Sequence, residues 1–365
     1  MILAKDLFFF LKKKINFYTG VPDSVLKNLI DNFSNYKKVK HVIATNEGSA
    51  VSLAIGSYLS TKKIPCVYMQ NSGLGNAINP LISIAHKKVY SIPLFLLIGW
   101  RGSPKKKDEP QHVAKGEITP DLLKLLNIKF CILKNKKDFI KIDRLLKYSY
   151  SKKSPVACLI KKDTLVSKKI KTNYNINKNI LRREFISKLL KNINTNSKII
   201  STTGYTSREI HQLRKENNIK RGKDFYMVGG MGHAAILSMG YSLFSKNQII
   251  CLDGDGSILM HLGSLRTIGY FSKKNFKHIL LNNNSHESVG GQKTTAHQIN
   301  FEKLTLSLGY KKYFKLKNKK DLNLKIKKFL KSKGPSFLEV IISEGTLPKL
   351  SRPKNLLRIK KNFMT

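Results

Sequence analysis

Cysteine is sparse. The four residues Cys66, Cys131, Cys158 and Cys251 lie far apart, mostly inside apolar strand-like runs, and no Cys-x-x-Cys spacing occurs. That excludes a disulfide framework and reads as reduced core thiols of a cytoplasmic protein. Long apolar runs are missing too. Phe8-Phe9-Phe10-Leu11 is too short for a signal segment and Lys12-Lys13-Lys14 follows it, while Ile92 to Trp100 falls far short of a membrane span. No targeting or transmembrane segment, and no membrane partner, is expected. Carboxylates are the third scarcity: Asp and Glu total 22 against 68 Lys and Arg, a formal net charge of +46. Such a surplus suggests nucleic acid. Here the lysines are spread along the whole chain instead of gathering with aromatics in one element, so they read as solvated faces and no nucleic-acid partner is expected. The field would still attract small anions.

What is present is α/β alternation. With 41% hydrophobic residues the 365-residue chain has material for two cores. Apolar strands are expected at Ile15 to Tyr18, His41 to Thr45, Ile64 to Gln70 and Pro93 to Gly99, with helical spacing at Ser24 to Asn32, Glu47 to Leu59 and Leu74 to Ala85. A polar stretch, Lys161 to Asn179, reads as a linker. The second half repeats the pattern, with helices at Met231 to Phe244 and Ile258 to Tyr270 flanking a strand at Ile249 to Leu252. Two doubly wound domains with parallel sheets follow. In such sheets ligands bind beyond the carboxyl ends of the strands.

The densest chemistry sits there. Cys251-Leu252 runs into Asp253-Gly254-Asp255-Gly256-Ser257, and Ile279-Leu280-Leu281 later ends in Asn282-Asn283. One carboxylate and one amide oxygen at neighbouring strand ends can hold a hard divalent cation, and the glycines let backbone N–H groups approach a diphosphate. A Gly-Asp-Gly triplet alone commonly makes only a tight turn. Glu47, at the start of a helix, equally suits a surface residue favoured by the helix dipole.

The spacing of Gly254-Asp255-Gly256 and Asn282-Asn283, with Glu47 after the second strand, resembles the thiamine-diphosphate-dependent 2-oxoacid decarboxylases. Within them the likeness is greatest to the phosphonopyruvate decarboxylase family, a fused counterpart of two-subunit sulfopyruvate decarboxylases. It is carried by Phe17 to Ser24, Thr45 to Gly48, Tyr68 to Asn76, Gly99 to Gly102, Asp108 to His112, Thr202 to Gly204 and His286 to Gln292. The resemblance implies a pyrimidine-binding domain over residues 1–165, a linker over 166–180 and a diphosphate-binding domain over 181–365. It implies thiamine diphosphate and Mg²⁺ as cofactors, an active site at the interface of a homodimer or larger assembly, and a 2-oxoacid substrate with an anionic tail. The reaction would turn 3-phosphonopyruvate into phosphonoacetaldehyde and CO₂ through a thiamine ylid and an enamine, in biosynthesis of a 2-aminoethylphosphonate-type product.

The same resemblance assigns residues. Glu47 would activate the aminopyrimidine, and His112 would handle protons near the keto group, with His286 and Glu287 as weaker candidates. Asp255, Asn283 and the Ser285 carbonyl would bind Mg²⁺. Gly229 would offer its carbonyl and Met231 would wedge between the cofactor rings. Asn71, Gly73, Gly75, Thr203, Gly204, Gly254, Gly256 and Ser257 would complete the cofactor site. Arg101, whose guanidinium can grip two oxygens at once, would meet the substrate tail with Asp23 and Gln292. A sulfopyruvate decarboxylase or a carboligating relative uses the same chemistry and stays open; from a different class, a basic nucleic-acid-binding protein is the alternative that the spread of lysines disfavours. The Gly-x-Gly at Gly73 to Gly75 lacks the third glycine of a nicotinamide site, where Ile78 stands.

Overall fold

In the sheet interiors, short apolar runs become strands buried on both faces. The computed structural model describes residues 1–36, 38–105, 107–167, 180–347 and 349–365, and the chain divides into two units, Met1–Lys171 and Thr172–Thr365. In the first, β1 (Ile2–Leu3), β2 (Phe17–Gly20), β3 (Lys40–Ile43), β4 (Cys66–Gln70), β5 (Phe95–Trp100), β6 (Lys129–Leu133), β7 (Val156–Lys161) and β8 (Leu165–Val166) follow in order. In the second come β9 (Lys198–Ser201), β10 (Lys223–Tyr226), β11 (Ile249–Gly254), β12 (Phe276–Asn282), β13 (Lys312–Leu316) and β14 (Ser336–Ile341).

The six-stranded sheets run β3-β2-β4-β5-β7-β6 and β10-β9-β11-β12-β14-β13, every pair parallel. Counted within each six-stranded sheet, the two orders are the same: 2-1-3-4-6-5. Both sheets are doubly wound, each with one apolar core per face. Tyr68, Phe95, Leu97 and Cys158 fill one side of the first sheet, and Val67, Met69, Leu96 and Leu159 fill the other. Leu252, Ile279 and Leu338 face one core of the second sheet, and Cys251, Leu280 and Phe337 the other. Burial of each such side chain contributes about 1.5–3 kcal/mol. In each unit the chain reverses direction across the sheet between the first and third strands, which opens a crevice at their carboxyl ends.

Several boundaries differ from expectation. Helical spacing over Leu74 to Ala85 resolves into a helix at Leu74–Pro80 and a wider π-helical turn at Leu81–Ala85, because Pro80 lacks an N–H to donate. The helix expected from Met231 starts at Ala234, since Gly230 and Gly232 take left-handed φ of 65° and 90°. The run Ile258 to Tyr270 breaks into helices Asp255–Met260 and Ser264–Phe271, with His261 at the break stacked on His233 at 4.4 Å. Most of the linker expected over 166–180 lies outside the described residues; at its ends Val166 pairs with Leu3 and Ile180 with Ile342. Among the described residues no helix is long and apolar enough to cross a membrane.

Candidate active site

In the first unit the helix Glu47–Thr61 begins where Asn46, in extended conformation, accepts the Ser49 amide at 2.8 Å. This N-cap fixes Glu47 at the first helical position. Glu47 is 5% exposed, and its Oε2 accepts a hydrogen bond from Asn76 Nδ2 at 2.8 Å. Gly73 closes the turn after β4 against the same carboxyl group: a Cβ built there would stand 2.5 Å from Glu47 Cγ.

Asp23, in the turn after β2, is fully buried. Its Oδ2 accepts the Val25 and Leu26 amides at 3.1 and 3.3 Å, and its Oδ1 accepts Gln70 Nε2 at 2.6 Å. Burial pushes its carboxyl above the usual range, against those hydrogen bonds. Asn71 clamps the next strand end: its Oδ1 accepts the Arg101 amide at 3.1 Å and its Nδ2 donates to the Arg101 carbonyl at 3.0 Å. The Arg101 guanidinium is gripped bidentately by Asp108, with Nε to Oδ2 at 2.7 Å. Burial would push the Asp108 carboxyl up, yet Arg101 and the Glu109 and Gly102 amides hold it well below the usual range. Arg101 also reaches Ser24 Oγ at 3.4 Å. His112 is half-buried and lies in the first turn of the helix Pro110–Leu125. Gly75 is exposed, and no atom would lie within 4 Å of a Cβ there. Asp23, Glu47, Asn71, Gly73 and Arg101 thus lie beyond the carboxyl ends of β2, β3, β4 and β5, with Glu47 against Gly73 and Asn71 bonded to Arg101.

In the second unit one cleft collects Thr203, Met231, Gly254, Asp255, Gly256, Ser257, Asn283, Ser285 and His286. Gly204, Gly229 and Gln292 stay off its wall. Gly204 caps the helix Tyr205–Glu216 with φ of 98°, Gly229 lies in the turn after β10, and Gln292 meets His286 through its backbone carbonyl. Gly254 leads from β11 into the helix Asp255–Met260, and nothing would lie within 4 Å of a Cβ placed on it. Thr202 Oγ1 donates to Ser257 Oγ at 3.0 Å, and the Gly232 amide donates to the same oxygen at 3.1 Å.

The loop after β12 folds back on itself, with the His286 amide on the Gln292 carbonyl at 2.8 Å and the Thr294 amide on the Asn284 carbonyl at 2.9 Å. This return brings Thr294 Oγ1 to Asp255 Oδ2 at 2.6 Å. Asp255 is 4% exposed, and burial raises its carboxyl to about 6 despite that hydrogen bond. Burial lowers His286 to about 4, leaving a neutral ring at physiological pH. Asn283 Oδ1 accepts the Ser285 amide at 3.1 Å, and Asn283 Nδ2 donates to Glu287 at 3.0 Å. Behind the strand end Asp253 Oδ1 accepts the Gly254 amide at 2.9 Å, and its other oxygen lies 3.6 Å from His278, whose far nitrogen meets Tyr310 at 2.8 Å.

Sequence reasoning missed Asn76, Gln70 and Thr294 as partners of the three carboxylates, and Asp108 as the occupant of the Arg101 fork. Gln70, Asn76 and Asp108 stood inside recognised segments, but nothing in a segment states which side chain it will meet.

Two units of one strand order, with an acid against a glycine turn in one and a Gly-Asp-Gly end facing an Asn loop in the other, define the thiamine-diphosphate enzymes. Residues 1–125 match the N-terminal TPP binding domain of thiamine pyrophosphate enzymes and residues 202–340 match their C-terminal TPP binding domain. A phosphonopyruvate decarboxylase of Streptomyces hygroscopicus is 31% identical over 352 residues, 92% of this chain and 86% of its own. One from Streptomyces viridochromogenes is 31% identical over 355 residues, 92% and 87% of the two chains. A sulfopyruvate decarboxylase of Methanosarcina acetivorans is 26% identical over 373 residues, 96% and 93%. The chain belongs to the phosphonopyruvate decarboxylase family of thiamine-diphosphate-dependent enzymes.

Proposed function

We propose that this enzyme releases CO₂ from 3-phosphonopyruvate and yields phosphonoacetaldehyde, in biosynthesis of a 2-aminoethylphosphonate-type compound. The observation that carries the substrate is the likeness to two phosphonopyruvate decarboxylases over 92% of the chain, closer in identity than the similarly extensive likeness to the Methanosarcina sulfopyruvate decarboxylase. Residues 1–165 are read as the pyrimidine-binding domain, 181–365 as the diphosphate-binding domain, and 166–180 as their linker.

The donor set suits the cofactor. Asp255, Asn283 and Ser285 offer hard oxygens for Mg²⁺; the buried Ser285 hydroxyl has no hydrogen-bond partner, and the Gly254 edge is bare. Thiamine diphosphate, when bound, supplies the electron sink for the pair left as CO₂ departs. Glu47, steadied through Oε2 by Asn76, is assigned the proton exchanged with the aminopyrimidine. Gly256, Ser257, Thr203 and Gly204 are assigned to the diphosphate, Gly229 and Met231 to the pyrimidine and the bend between the rings, and Asn71, Gly73 and Gly75 to the first unit's share. His112 and the neutral His286 are assigned to proton delivery, and Arg101, Asp23 and Gln292 to the substrate and its tail.

The working form is read as at least a homodimer in the cytoplasm. Consistent with an assembly is an open groove of about 940 Å³ beside Glu47, lined by Asn46, Gly48, Ser49 and Asn76, where a second copy could pack. A second reading, sulfopyruvate decarboxylation, draws on the likeness that spans 96% of the chain. Both oxoacids assayed in parallel with thiamine diphosphate and Mg²⁺ decide it: turnover of sulfopyruvate alone would overturn the substrate while sparing the mechanism.

A further inference from the structure

We infer that Glu287 is a positioning residue for the cation site, acting through the amide of Asn283. Glu287 stands in the loop after β12, four positions beyond Asn283. Its Oε2 accepts Asn283 Nδ2 at 3.0 Å and also the Arg182 guanidinium, while its Oε1 accepts the Gly345 amide. With both oxygens engaged and a buried guanidinium beside it, this carboxylate serves as a fixed acceptor, a role different from the weaker proton-handling one that the resemblance implied.

An amide has one donor end and one acceptor end. Holding Nδ2 against a carboxylate decides which way the group faces, because the flipped amide would set Oδ1 against a negative oxygen. Asn283 Oδ1 therefore points toward the Ser285 amide, and its second lone pair remains for a cation. The support for Glu287 is itself built. Arg182, 5% exposed, lies between Glu287 and Glu209, bonding Glu209 Oε1 at 3.2 Å, and Thr346 Oγ1 reaches the same Glu209 oxygen at 2.8 Å. The network ties the start of the helix Arg182–Asn192, the helix Tyr205–Glu216 and the segment after β14 to the loop carrying Asn283. Partners that orient a ligand in this way typically contribute about 10–100-fold to metal affinity.

The inference rests on the proposed cation role of Asp255 and Asn283, and a double-mutant cycle separates the two. Free Mn²⁺ is counted by electron paramagnetic resonance in the presence of thiamine diphosphate, for the wild type, Glu287→Gln, Asn283→Ala and the double variant. Glu287→Gln should raise the Mn²⁺ dissociation constant about tenfold or more, and should change it no further in the Asn283→Ala background, which has no amide to orient. Equal losses in both backgrounds, or none in either, would assign Glu287 a purely structural role and overturn the inference. If Asn283→Ala leaves Mn²⁺ binding intact, the cation reading itself fails. Should Glu287→Gln not fold, Glu287→Asp keeps the charge near Arg182 while withdrawing the carboxylate from Asn283, and is read by the same cycle.

Discussion

Gly73→Ala isolates the placement of one carboxyl group. The backbone at Gly73 has φ −83° and ψ −10°, values any residue adopts, so alanine brings no backbone strain. It brings one methyl group, whose carbon would stand 2.5 Å from Glu47 Cγ and nearer still to the carboxyl group. Ordinary carbon contacts need about 3.5 Å or more, so Glu47 must retreat by roughly 1 Å. That retreat stretches the 2.8 Å hydrogen bond from Asn76 beyond bonding range. Overpacking of this kind costs about 1–3 kcal/mol of stability, whereas a 1 Å misplacement in a catalytic constellation can cost on the order of 100-fold in rate. The expected variant is folded, melts a few degrees lower and decarboxylates phosphonopyruvate about 100-fold more slowly in kcat. Aldehyde release followed through a coupled reductase, with a thermal melt alongside, reads both quantities. A kcat within twofold of wild type would refute the reasoning, for it would mean that the Glu47 position is irrelevant or that the turn yields freely.

Glu47→Gln keeps an oxygen for Asn76 but cannot exchange the proton, so turnover should fall by about 10²–10⁴-fold while thiamine diphosphate still binds in equilibrium dialysis. Asp255 binds its proton more tightly folded, at about 6, than unfolded, near 4. Its contribution to metal-free stability, about 3 kcal/mol, is complete below the unfolded value and lost as pH rises through 6. Denaturant titrations of Asp255→Asn between pH 4 and 7 should lack that part of the slope, and an unchanged slope would contradict the burial argument. Asp108 is shifted the other way, so its ion pair with Arg101 stabilises above the unfolded value near 4 and is lost as pH falls through the lower folded one. Asp108→Asn should cost about 1–3 kcal/mol at pH 7 by urea unfolding, a gap that narrows below pH 4; a gap independent of pH would show the pairing to be inert.

The interior strands were legible because a strand covered on both faces must be apolar throughout, as Cys66 to Met69 and Phe95 to Trp100 are. Helix boundaries were less so. Apolar spacing continues through Pro80 and through His261, and only the missing amide of the one and the packing of the other against Gly232 and His233 break the helices. In the site, Asp255 could be found because a strand end and its flanking glycines mark it, and Glu47 only through the family resemblance, since a helix-start glutamate alone suits the surface as well. Their partners could not: Asn76 lies 29 positions from Glu47 and Thr294 lies 39 from Asp255, separations fixed by loop closure and not by any period. The Arg101 fork was legible as a group able to hold two oxygens, but the oxygens of Asp108 hold it first.

The strand order common to both units bears on how the two halves reach the cell. Each closes its own six-stranded sheet around its own pair of cores, so each contains what a polypeptide needs to fold as a domain. Carrying both on one polypeptide means that every round of translation delivers one of each. Neither half accumulates without its counterpart, a balance that separately translated halves would have to reach by matching two rates of synthesis.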